Sequence, residues 1–226
     1  MLLRLSAIAS AIAVVTSGAS ASAGPNLVVN GDFSAGNSGF STGYALTTMT
    51  PYLFQNGVHG IYAIEPAGSV AASSAYGDWT NVSTDPSGGN GNVYAADGAT
   101  NANTTIWSET VSVTPNTDYV FSYYGVEISN ACCSNATFVP SVNGVNGPTF
   151  DTDASWQNSA FVWYSGSSTT ATLALTDTNL SGPFNDFLVD DFSFSSGVPE
   201  PASWAMMLIG VAGLGAMMRR PGRRLA

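Results

Sequence analysis

Apolar and polar positions alternate with a period of two along much of the chain. Trp107, Val111 and Val113 share one side of a stretch whose other side carries Ser108, Thr110 and Ser112. A few residues on, Tyr119, Phe121 and Tyr123 alternate with Val120, Ser122 and Tyr124. Side chains on a strand point to opposite faces in turn, so this period predicts half-buried β-strands rather than helices. Alternating or short apolar runs predict strands at residues 27–29, 44–48, 58–64, 92–95, 105–113, 119–128, 138–142, 155–164, 169–176 and 187–194. Between them stand turn-forming clusters. Pro115-Asn116 pairs a fixed φ with a residue that tolerates the left-handed region, Asn143-Gly144 and Asn146-Gly147 follow Val142, and Gly182-Pro183 breaks the chain before the last strand. Asp85-Pro86-Ser87-Gly88-Gly89-Asn90-Gly91-Asn92 is the most loop-like stretch, a binding loop or simply a mobile one. Helix-building surface residues are scarce and no repeat recurs, so the pattern predicts a single all-β sandwich.

Both ends break the alternation. Residues 1–23 have Arg4 in a short, positively charged n-region, an apolar run over residues 5–15 and Ala21-Ser22-Ala23 as a small-residue cleavage site, the features of a secretory signal peptide. At the other end, residues 205–218 contain no charge, and Arg219, Arg220, Arg223 and Arg224 follow. Counted from Pro201, the uncharged run is roughly 18 residues, the lower limit for crossing about 30 Å of hydrocarbon. It predicts a single C-terminal transmembrane helix whose arginines stay cytoplasmic. The chain therefore divides into a signal peptide at 1–23, a β-sandwich domain at 24–197 and a sorting and anchor segment at 198–226.

Charge narrows the function. The five basic residues are Arg4 and the four arginines of the tail, so residues 24–197 contain neither Lys nor Arg. All fifteen acidic residues except Glu200 lie in that same domain. Nucleic-acid binding is driven by counterion release on Lys and Arg, so nucleic acid is excluded as a partner. Carboxylates without fixed positive partners must be solvated, hydrogen-bonded or bound to cations, and calcium is the cation expected in an exported protein. For most of them solvation suffices.

The order Pro199-Glu200-Pro201, Trp204, apolar run and then the cluster opening with Arg219 and Arg220 resembles the PEP-CTERM sorting signal of Gram-negative bacteria. The resemblance implies processing near Pro-Glu-Pro by an exosortase, a membrane enzyme of bacteria that make extracellular polysaccharide. It implies an exported protein, anchored in the inner membrane before processing and then delivered to the cell surface or extracellular matrix.

Asn26-Leu27-Val28-Val29-Asn30-Gly31-Asp32-Phe33 near the start of the domain and Asn185-Asp186-Phe187-Leu188-Val189-Asp190-Asp191-Phe192-Ser193-Phe194 near its end form a second resemblance. Together they resemble the galactose-binding-like and carbohydrate-binding-module-like jelly rolls, in which an NGDF-type turn lies beside a last strand carrying Asp-Asp. Those modules commonly have Glu where this chain has Ser34. The implied fold is a jelly-roll β-sandwich. On strand parity Asp190 faces inward with Phe192 and Phe194. A carboxylate there is costly unless paired or metal-bound, and no Lys or Arg is at hand. One structural calcium ion is therefore expected on Asp32, Asp190 or Asp191 and backbone carbonyls around Asn30. The alternative is that these aspartates cap turns or accept backbone N–H bonds.

Catalytic chemistry is thinly provided. His59 is the sole histidine and no nucleophile motif accompanies it, so a structural role is expected, with a carboxylate-based glycosidase as the remote enzymatic option. Cys132 and Cys133 are adjacent and lack metal-ligand spacing. They are compatible with a strained vicinal bridge, two thiols or an intermolecular bridge. Sugar recognition needs flat aromatics beside amides or carboxylates. Tyr76, Trp79, Trp156, Trp163 and Tyr164 have that setting, and Tyr76 and Trp79 are the expected ligand-binding pair. The expected role is non-enzymatic: a surface or matrix protein associated with exopolysaccharide and binding glycan. A structural or adhesive coat protein without a sugar site is the alternative, and an extracellular hydrolase the third.

Overall fold

The computed structural model describes residues 24–47, 59–72, 82–101, 103–128, 135–178 and 185–197. The signal peptide at 1–23 and the tail from residue 198, with Pro199, Glu200, Pro201, Trp204, Arg219 and Arg220, lie outside the described residues, as do Tyr76, Trp79, Cys132 and Cys133. Among the described residues no helix is long and apolar enough to cross a membrane, and the predicted transmembrane run lies outside them.

The alternating segments form strands close to their expected positions. In chain order they are β1 Ala45–Leu46, β2 Ile61–Pro66, β3 Asn92–Asp97, β4 Thr104–Ser112, β5 Asp118–Glu127, β6 Thr137–Val142, β7 Val145–Asn146, β8 Phe150–Asp151, β9 Gln157–Tyr164, β10 Thr170–Asp177 and β11 Phe187–Ser196. One sheet runs β1-β2-β3-β11-β5-β9 and the other β4-β10-β6-β7, with β8 also on β6. β3 pairs antiparallel with β11, β4 with β10, and β5 with β9, while β6 pairs with β7 and β8. These nested pairs make the chain a long antiparallel ribbon folded across two sheets, which is the jelly-roll winding.

Local chemistry explains the turns. Asn116 adopts φ 54° after Pro115, and Asn143 and Gly144 adopt φ 49° and 76°. Two successive left-handed residues between β6 and β7 are the two-residue hairpin turn that matches strand twist.

Three features depart from the sequence expectation. Residues 27–29 are not a strand. Leu27 donates its N–H to the Phe194 carbonyl, but Asn26 and the left-handed Asn30 bend the segment away from the sheet. A short helix, α1 Ala67–Ala72, follows β2 and buries Ala67 and Val70. The short strands β7 and β8 were not expected either, because two residues carry no readable period.

The core between the sheets is aromatic. Trp107 of β4 stacks on Phe192 of β11 with ring centroids 4.2 Å apart, and Tyr62 stacks on Tyr94 at 4.7 Å. Tyr119, Phe121 and Tyr123, which share one side of β5, all point into it. Sites alternate along β3 and the start of β11: Tyr94, Ala96, Phe187 and Val189 belong to this core, while Val93, Ala95 and Leu188 belong to a second, smaller cluster with Ala67, Val70 and Val82. That second cluster is the outer face of the sheet, covered by α1 and the segment around Val82.

Candidate cation site

The N-terminal segment is tied to β11 by its own side chains. Asn26 accepts from the N–H groups of Val28 at 3.1 Å and Phe194 at 2.9 Å, and donates to the Phe192 carbonyl at 3.1 Å. Phe192 in turn donates its N–H to the Gly31 carbonyl at 2.9 Å. The backbones approach so closely that a Cβ on Gly31 would overlap the Phe192 carbonyl oxygen. A Gly31→Ala variant is therefore expected to lose about 2 kcal/mol through forced separation of the two segments. An unchanged urea midpoint would contradict this close approach.

Asn30 turns the chain at φ 57° and ties the loop beyond it, donating to the carbonyls of Gly36 and Ser38 and accepting from the Ala35 N–H. The Asn30 carbonyl accepts from the Phe33 N–H at 3.1 Å. Asp32 is exposed and accepts from the backbone N–H of Ser34 at 3.2 Å and its hydroxyl at 2.8 Å. Ser34 thus binds Asp32 without adding a charge.

The parity expected for Asp190 is corrected by the fold. In the β11–β5 pair, Asp190 lies opposite Tyr124 and Ser193 opposite Ser122, so Asp191 and Phe192 together face Tyr123. This is a β-bulge, and Asp191 takes the left-handed conformation at φ 53°. The extra residue resets the alternation. Phe192 and Phe194 keep the inner face, whereas Asp190 shares the outer face with Leu188. It is buried there all the same, at 2% exposure, with the Asp191 N–H donating to its Oδ1 at 2.8 Å.

A fourth carboxylate, not singled out from the sequence, joins them. Asp85 gathers the Gly-rich loop around itself: its Oδ1 accepts from Ser87 Oγ at 2.6 Å and from the N–H groups of Ser87 and Gly89 at 2.9 Å, and its Oδ2 accepts from the Gly91 N–H at 2.6 Å. The stretch read as a binding or mobile loop is thus closed on one carboxylate. It is also fastened at its rim, since Trp156 Nε1 donates to the Thr84 carbonyl at 2.8 Å and Asn92 donates to the Phe33 carbonyl at 3.0 Å.

The negative charges of Asp85 and Asp32 act on both Asp190 and Asp191. Burial pushes Asp190 up to about 8, against the Asp191 N–H bond, and the negative charges of Asp191, Asp85 and Asp32 push it the same way. Asp191 is raised by burial first and then by Asp85 and Asp32. Asp85 is also opposed by burial, but its hydrogen bonds outweigh that and hold it below the ordinary carboxylate range. A surface cavity of about 440 Å³ lies over the junction, lined by Asn26, Asn30, Gly31, Asp32, Asp191 and Ser193 among others. The donor set is hard oxygen throughout, the chemistry of calcium rather than zinc. Among the described residues no three acidic, imidazole or thiol side chains are gathered closely enough to chelate an ion as they stand. An ion at this junction would draw on the Asp32, Asp190 and Asp191 carboxylates and the backbone carbonyls of the Asn30 turn.

The aromatic candidates separate. Trp163 is buried in the core, Trp156 serves the Gly-rich loop, and Tyr164 stands out at 57% exposure with its hydroxyl 3.1 Å from Asn116 Oδ1. Val162, two residues along the same face of β9, is 64% exposed.

With fold and site described, the chain is an all-β jelly-roll sandwich carrying a sorting tail. Residues 197–224 match the PEP-CTERM protein-sorting motif, which implies an exported, membrane-anchored exosortase substrate. No curated protein sequence matches the chain. Among solved structures, the cyclase Fisc from Fischerella sp. TAU, a Stig cyclase, is similar at 10% identity over 80% of this chain and 100% of that one, with a TM-score of 0.53. The CBM22-1 xylan-binding domain of Paenibacillus barcinonensis Xyn10C is 16% identical over 78% of this chain and 97% of that one, with a TM-score of 0.47. The carbohydrate-binding module TmCBM61, solved with beta-1,4-galactotriose, is 12% identical over 76% of this chain and 99% of that one, with a TM-score of 0.46. At such identities the likeness is one of fold.

Proposed function

We propose that the exported domain is a non-catalytic surface or matrix protein that associates with the exopolysaccharide of the cell that makes it, with one structural calcium ion at the Asp32, Asp190 and Asp191 junction. The observation that carries this reading is the sorting motif at residues 197–224 behind a sandwich without a single Lys or Arg. Export meets calcium, and an uncompensated set of buried and half-buried carboxylates is what calcium neutralises. The ion would fasten the first segment of the domain to its last strand, so that the termini stay closed while the tail is processed.

Glycan contact falls to exposed aromatics. Tyr164, with Asn116 beside it, is the exposed one of the described aromatics named from the sequence and joins Tyr76 and Trp79 as a candidate. A Tyr164→Ala variant is expected to keep its stability and to weaken retention on the cell's own purified exopolysaccharide about three- to ten-fold, the scale of one ring contact. If a triple alanine variant at Tyr76, Trp79 and Tyr164 is retained as well as the unmodified chain, the sugar site is rejected.

One observation favours a coat protein without a sugar site. The outward face of the second sheet is a field of small hydroxyl side chains, with Thr110 and Thr172 hydrogen-bonded at 2.9 Å and Ser112, Thr170 and Thr176 around them, and none of these positions is aromatic. Such a face suits packing against a neighbour better than gripping a pyranose ring. Binding on a glycan array separates the two readings, and release of soluble sugar from matrix polysaccharide would bring the hydrolase forward.

A further inference from the structure

Toward the other end of β11 from Asp190, the residue just before the strand is another buried aspartate, Asp186. Asp186, Leu188 and Asp190 alternate along the strand, so Leu188 of the outer cluster has an acid on either side. The β11–β3 register pairs Phe187 with Ala96, and one step further sets Asp186 directly across from Asp97. Both are buried, at 4% and 5% exposure. Directly opposed like charges destabilise a sheet. The domain has no Lys or Arg to offset this pair, and the one imidazole, His59, places its Nδ1 2.7 Å from Asp97 Oδ1. Asp186 takes the Gly98 N–H, which leaves its Oδ1 buried with no hydrogen-bond partner. Glu127, at the end of β5, adds a third negative charge within electrostatic reach of Asp186.

A buried carboxylate oxygen without a partner costs several kcal/mol as an anion, so it is either protonated or bound. We propose that the Asp97–Asp186 cross-strand pair holds a second hard divalent cation, of the calcium class, separate from the one at the N-terminal junction. The orphan Asp186 Oδ1 and the Asp97 oxygen not engaged by His59 are its carboxylate ligands, and water and backbone carbonyls complete the oxygen shell. The ion cross-links β3 and β11, the central strands of the first sheet, where hydrogen bonding alone must overcome charge repulsion. The proposal does not depend on the junction site, since the two share no ligand.

Calcium chloride titrated calorimetrically into the chelator-stripped full chain tests it. Two binding events are expected. Asp186→Asn should weaken one of them by about ten-fold or more while leaving the event that Asp190→Asn removes, and Asp97→Asn should do the same as Asp186→Asn. In chelator, Asp186→Asn should melt above the unmodified chain, because it removes a buried charge, which also guards against reading a misfolded variant as loss of binding. A titration indifferent to Asp186→Asn overturns the proposal and leaves the junction site standing. A single event in the unmodified chain that Asp186→Asn removes and Asp190→Asn leaves would do the reverse. A higher melting point for Asp186→Asn with no ion bound by the unmodified chain assigns the pair a shared proton, which also overturns it.

Discussion

Chelation at pH 7.5 is expected to lower the thermal midpoint of the domain by about 5 to 10 °C, and at pH 5 by much less. An ion present at a hundred times its Kd stabilises the folded state by about 2.7 kcal/mol, and a domain of this size shifts by about 2 to 4 °C for each kcal/mol. The pH dependence follows from the carboxyls themselves. Burial raises Asp97 to about 6, against the bond and charge of His59, and burial raises Asp190 to about 8. Both therefore keep their protons at pH values where the unfolded chain, with carboxyls near 4, has released them. Without a cation the stability they contribute is complete below about pH 4 and is lost as pH climbs through 6 at Asp97 and 8 at Asp190. Calcium bound at the proposed sites is expected to reverse the loss by stabilising the ionised forms. Differential scanning calorimetry with and without chelator at the two pH values measures all of this. A midpoint at pH 7.5 that is indifferent to chelator would reject both cation sites.

The second large effect lies in the core. Trp107→Ala is expected to cost about 3 to 5 kcal/mol, read from the urea midpoint in the presence of calcium. Trp107 is fully buried, stacks on Phe192 at 4.2 Å and 11°, and lies against Phe121 at 6.2 Å. Its removal leaves a cavity where the two sheets meet. Phe192 is also the residue whose backbone bonds Gly31 and Asn26, so a loosened ring there loosens the junction beneath Asp32. Trp107→Phe is the informative control. The indole Nε1 is buried without a hydrogen-bond partner, so replacing it with Phe relieves an unsatisfied donor while shrinking the ring. The control should lose less than half of what the alanine variant loses. Equal losses would place the value of the residue in its volume rather than its stacking surface.

The two ends of the domain were read from sequence with unequal success. The NGDF turn and the last strand do lie side by side, as the resemblance implied, because both are short-range patterns that a strand pairing brings together. The face of Asp190 was misread, since parity counting assumes an uninterrupted ladder and the bulge at Asp191 adds a residue. A bulge is chosen by the partner strand, here β5, which is more than sixty residues away in sequence. Asp85 was passed over for a related reason: within a Gly-rich loop its carboxylate looks like one more turn residue. Only the closed loop shows four donors converging on it. Asp186 and Asp97 are separated by about half the domain, and their opposition exists only in the β3–β11 register.

What the sequence by itself determined is local in range: the strand periods, the Asn116 and Asn143-Gly144 turns, the sorting tail, and the missing positive charge. Each depends on neighbours a few residues apart or on composition alone. What tertiary structure decided is which carboxylates confront one another, which aromatics are spent in the core, and which face Asp190 occupies. Those outcomes depend on strand register, and register is set by packing between segments that no local pattern connects.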